Sequence, residues 1–80
     1  MKKLNHRPAR VQKAREAAGL TKTQLAEQLS CSLSLISEIE SGTRNALPER
    51  LELMAEVLGV DLEKLASAEY LRKTEKGSAA

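Results

Sequence analysis

Three glycines, Gly19, Gly42 and Gly59, each follow a stretch whose apolar residues recur at helical spacing, and together they confine every helix of this chain to a few turns. Glycine takes the left-handed conformation that ends a helix at little cost. Helix starts fall where these stops require them. Pro8 suits the first turn of helix 1, with Val11, Ala14 and Ala18 at i, i+3 and i+7. Thr21 is a capping residue for a second helix, from Thr23 to about Leu29, whose apolar side is Leu25, Ala26 and Leu29. Ser32 opens a third helix running to about Ser41 with Ile36 and Ile39 inward, and Pro48 opens a fourth carrying Leu51, Met54, Ala55 and Leu58. Asp61 caps a fifth with Leu62 and Leu65, which the spacing carries on through Tyr70 and Leu71. From Thr74 the apolar face is gone, and a frayed or disordered tail is expected. No β-branched alternation long enough for a strand occurs. The chain reads as an all-α domain of five short helices, with a turn of three or four residues joining helices 2 and 3 as a helix-turn-helix.

Eighty residues make one small domain, which excludes a two-domain enzyme and leaves little room for an enclosed substrate pocket. Cys31 is the one cysteine and His6 the one histidine, so neither an internal disulfide nor a Cys-rich zinc site is available, and no cofactor or metal is expected. A nucleophile with its base, or a Gly-rich phosphate loop, is likewise missing, and the chain does not read as an enzyme. With no Trp or Phe, stacking of single-stranded bases is disfavoured. No apolar run approaches the ~20 residues of a membrane span, and a cytoplasmic protein without a membrane partner is expected.

The formal charge of +2 conceals a polarity along the chain. Residues 1–22 hold seven cations against Glu16 alone, a net +6, whereas residues 49–69 hold six acids against Arg50 and Lys64, a net −4. Such a basic half suits a polyanion. The chain divides into a basic N-terminal arm (1–7), a helix-turn-helix domain (8–66) and a C-terminal helix extension with a flexible tail (67–80). Within the arm, Lys2, Lys3, Asn5, His6 and Arg7 can lie along a groove or remain a disordered tail, with His6 an exposed imidazole.

Three segments carry a resemblance: Leu20-Thr-Lys-Thr-Gln-Leu-Ala-Glu-Gln-Leu, Ile36-Ser-Glu-Ile-Glu-Ser-Gly-Thr-Arg-Asn, and Leu51 through Leu58-Gly-Val. Over about residues 8–66 the chain resembles the helix-turn-helix family of phage repressors and Cro proteins, also called the XRE family. The resemblance implies a five-helix lambda-repressor-like domain that binds operator DNA as a homodimer, its third helix in the major groove, with half-sites about 34 Å apart. By position in the family, Ser32, Leu33, Ser34, Ser37 and Glu38 are the base-reading candidates. None is a bidentate reader of guanine or adenine, but the serines can bond to bases or phosphates, Leu33 can meet a thymine methyl and Glu38 can accept from cytosine N4. Phosphate contacts are expected from Lys22 and Thr23 at the start of helix 2, from Arg10 in the basic half, and from Arg44 and Asn45 in a loop the family uses on the DNA backbone. Arg15 and Glu40 match positions that form a partly buried ion pair in several members, a structural role. Ser30 stands where the family's turn usually has Gly, at a cost of order 1 kcal/mol if its φ is positive. Cys31 stands where a small apolar residue is usual, which implies a buried inert thiol; a redox sensor is the alternative.

Leu53, Val57, Leu62, Tyr70 and Leu71 exceed what so small a domain buries internally. Tyr70 and Leu71 can fold back on Leu53 and Val57 within one chain, or the same groups can meet across a two-fold axis. The function expected is that of a sequence-specific regulator of transcription on double-stranded DNA, a repressor in the first instance. Leu33, Leu35 and Glu38 favour a different class, a protein-interaction module such as an antitoxin or antirepressor with a protein partner.

Overall fold

A computed structural model describes the backbone of residues 3–79 and the side chains of residues 3–73. Among the described residues there are six helices: α1 (Pro8–Ala17), α2 (Lys22–Gln28), α3 (Leu33–Ser41), α4 (Pro48–Leu58), α5 (Leu62–Leu65) and α6 (Ala68–Ala79). Local signals set most boundaries. Thr21 and Gln24 form a reciprocal capping box at the start of α2, and the Ser32 hydroxyl accepts from the Leu35 N–H at the start of α3. Gly42 and Gly59 end α3 and α4 with φ of 84° and 68°. At Gly42 glycine is also needed for space, because a Cβ there would stand 3.3 Å from Cγ of Pro8.

The core joins Val11 of α1, Leu25 and Ala26 of α2, Ile36 and Ile39 of α3, Leu51 and Met54 of α4, and Leu65 of α5. Each such Leu or Ile, buried from water, contributes about 1.5–3 kcal/mol. Ala26 is buried where α2 meets α3, and its small side chain sets how closely they approach. Ser30 has φ of 55°, so the α2–α3 turn takes the left-handed conformation without a glycine.

Three expectations are corrected. The expected fifth helix is two helices, because Ala66 is extended and pairs antiparallel with His6, while Ser67 Oγ caps a fresh start by accepting from the Tyr70 N–H. Helix continues through Ala79, past Thr74, where fraying was expected; Glu, Lys and Ala favour helix whether or not one face is apolar. His6, expected as an exposed imidazole, is only 2% exposed. Its Nε2–H donates to the Ile39 carbonyl at 2.7 Å and its Nδ1 accepts from the Ala46 N–H at 3.4 Å. Around it the Arg7 N–H donates to the Leu65 carbonyl, the Ser67 N–H to the Asn5 carbonyl, and Asn5 Nδ2 to the Ala46 carbonyl. Residues 5–7 are therefore a strap holding α3, the α3–α4 loop and the α5–α6 junction together. Among the described residues no helix is long and apolar enough to cross a membrane.

Candidate nucleic-acid interface

A buried ion pair fixes the angle of α3. Arg15 Nε donates to Glu40 Oε2 at 2.6 Å and Nη2 to Oε1 at 3.1 Å, while Nη1 reaches the Leu20 carbonyl at 2.9 Å. The side chains are 10% and 3% exposed. The hydrogen bonds to Glu40 hold the Arg15 pKa above its already high ordinary value. With the guanidinium's fork matched to both carboxylate oxygens, neither group is left for a ligand, and α1 and α3 are locked together.

The first turn of α3 is open by contrast. Ser32, Leu33 and Ser34 are exposed, Leu33 by 47%. Leu35 packs partly on the core, so of the two apolar side chains only Leu33 presents itself outward. Ser37 and Glu38 are half-buried. Lys22 and Thr23 are exposed at the start of α2. Cys31 is half-buried against the core rather than buried, because it precedes the Ser32 cap and lies outside α3.

Beyond α3, the Glu38 carbonyl gathers the loop, accepting from the N–H groups of Thr43 and Arg44 and from the Ser41 hydroxyl. Arg44 Nε then donates to Glu38 Oε1 at 2.6 Å, with side chains 58% and 43% exposed. A candidate for phosphate and a candidate for bases are thus partners of each other. Sequence spacing gives this no signal, since it depends on the loop turning back. Asn45 is engaged inward, its Oδ1 accepting from the Asn5 N–H at 2.7 Å.

The basic half does not gather on α3. Lys3 is paired with Glu69 at 3.0 Å, a contact that also holds the Glu69 carboxyl below its ordinary range. Arg15 is neutralised by Glu40, and Arg10 and Lys13 line a groove with Lys64 instead. Lys2 lies outside the described residues. Of the dimer candidates, Val57, Leu62, Tyr70 and Leu71 are half-buried against the core, and Leu53 is 49% exposed among Glu49, Glu52 and Glu56.

Solved structures share this arrangement. The biofilm master regulator SinR, in complex with DNA, is 27% identical with a TM-score of 0.68, over 72% of this chain and 97% of that chain. The clp gene regulator ClgR from Corynebacterium glutamicum is 29% identical with a TM-score of 0.65, over 91% and 87%. The restriction-modification controller protein C.AhdI from Aeromonas hydrophila, 24% identical with a TM-score of 0.67 over 71% and 86%, shares the fold. No curated protein matches the sequence. The helix-turn-helix family model matches residues 11–65, more than half the chain, taking in the Arg15–Glu40 lock, the α2–α3 turn and the exposed start of α3. The chain belongs to the XRE/Cro-type helix-turn-helix family, whose members are DNA-binding regulators.

Proposed function

We propose that this protein binds duplex DNA with sequence preference and represses transcription in the cytoplasm by occluding a promoter, acting by binding rather than catalysis. The observation that carries this reading is the open first turn of α3, held at a fixed angle by the buried Arg15–Glu40 pair. Ser32, Leu33 and Ser34 meet base edges, with Ser37 and Glu38 further along the helix. Lys22, Thr23 and Arg44 meet phosphates. Arg10 and Asn45 stay outside this surface, one in the α1 groove and the other bonded to Asn5. Two protomers pair through the exposed parts of Val57, Leu62, Tyr70 and Leu71, which sets two α3 helices on one face of the duplex.

Fluorescence anisotropy with random duplexes tests the reading. Lys22 and Arg44 of two protomers give a log–log salt slope of about −4, at ~0.9 per neutralised phosphate. Absence of duplex binding at low salt refutes it. That outcome would favour a protein-interaction module, for which the exposure of Leu33 (47%) and Leu47 (64%) is the specific support.

A further inference from the structure

Two surfaces outside α2 and α3 carry opposite charges around apolar centres. On α4, Glu49, Glu52 and Glu56 surround the half-exposed Leu53. Between α1 and α5, Arg10, Lys13 and Lys64 rim a groove of about 330 Å³ lined by Ala14, Ala17 and Val60. None of these six charged side chains pairs with another described residue. The carboxylates stand at i, i+3 and i+7 along one helix face, a spacing at which like charges repel, so the ridge is left with an unrelieved negative field.

A two-fold contact centred on Leu53 would set three carboxylates against three more. Duplex DNA is repelled by the ridge for the same reason. Nor does the groove face the proposed DNA surface. Arg15 turns toward α3 through Glu40, and Lys13 and Ala17, two positions either side of it, stand about 160° around α1 from it at ~100° per residue. What matches the ridge in both charge and apolar centre is the groove, and both are present in every copy.

We propose that the acidic ridge around Leu53 docks into the basic groove of a second copy of this chain, head to tail. Leu53 covers Ala14, Ala17 and Val60 while Glu49, Glu52 and Glu56 approach Arg10, Lys13 and Lys64. Because the two halves of the contact differ, every pair leaves one ridge and one groove unfilled, and copies can keep adding head to tail. The contact is small and charge-driven, hence weak and sensitive to salt.

The test isolates one contact. ¹⁵N-labelled Glu52→Lys protein, its ridge weakened and its groove intact, is titrated with unlabelled Lys13→Glu protein, in which the reverse holds. Shifts at the Ala14, Ala17 and Val60 amides are expected, with affinity falling about tenfold between ~0.05 and ~0.5 M salt. Unlabelled Glu52→Lys as the titrant should leave those amides in place. A chain carrying both substitutions should regain self-association, since each reversed charge meets its opposite, and dispersed amide spectra of each single variant show that it folds. Unmoved groove amides, equal shifts from either titrant, or groove shifts produced by duplex DNA instead of the second copy would each overturn the proposal.

Discussion

Arg15–Glu40 and Arg44–Glu38 both place an arginine Nε 2.6 Å from a glutamate oxygen, yet the first adds a second bond from Nη2 and lies inside the molecule, while the second is single and on its surface. Around the first pair the side chains are 10% and 3% exposed, around the second 58% and 43%. Burial changes what the same contact is for. The inner pair has lost its water, so removing either partner strands a charge, and it serves as a fastening between α1 and α3. The outer pair keeps its water and holds together weakly, so a phosphate can compete for Arg44 at small cost. The open start of α3 and its loop can therefore exchange partners without loosening the scaffold.

The largest expected effect lies at the inner pair. Arg15→Met or Glu40→Leu alone should lower stability by up to ~3–5 kcal/mol, while the double substitution comes close to wild type. Additive effects in a urea-unfolding cycle would show that burial does not separate the two pairs. Next comes the strap, which shares the inner environment: His6→Ala leaves the Ile39 carbonyl and the Ala46 N–H without their partner and should cost about 1–3 kcal/mol, read from the same curves. At the outer pair, Arg44→Ala should change stability by no more than ~1 kcal/mol while reducing the salt slope of DNA binding by roughly one per protomer. Glu38→Gln should leave folding nearly untouched and shift preference at a single base pair by ~1–3 kcal/mol in competition binding. The smallest effect belongs to the exposed Lys3–Glu69 pair. Since Lys3 lowers the Glu69 pKa, its small contribution is present above the ordinary carboxylate range and lost as pH falls through the folded-state value, so Glu69→Gln should differ from wild type near neutrality and converge with it in acid.

Much of this frame is legible in the sequence because it is local. Thr21, Ser32, Gly42 and Gly59 act on backbone groups within a turn of themselves, and their residue types announce that. The break between α5 and α6 is not local. Leu62, Leu65 and Tyr70 keep a helical period across it, and what interrupts the helix is hydrogen bonding with Asn5 and Arg7, which are distant in the sequence. The burial of His6 is hidden from the sequence for the same reason: nothing beside it marks a buried imidazole. At the interface, residue types identify Lys22 and Arg44 as cations, but which cations are already occupied depends on Glu40, Glu69 and Glu38 in space.

The pairing of His6 with Ala66 spans 60 positions of the chain, and so bears on the order in which the protein folds. Helices closed by their own caps form on local information, quickly and in any order, whereas a contact between such distant residues must first meet the entropy of closing the loop. Residues 5–7 are made well before Leu65 and Ser67, the partners they bind across that separation. The α3–α4 loop is tied to the same strap, because Asn45 Oδ1 accepts from the Asn5 N–H and the Ala46 N–H donates to His6 Nδ1. A chain cut before Leu65 would keep the local caps of α2 and α3 but lose the Leu65 and Ser67 partners of residues 5–7, so the order of that strap would report that the long-range contact has formed.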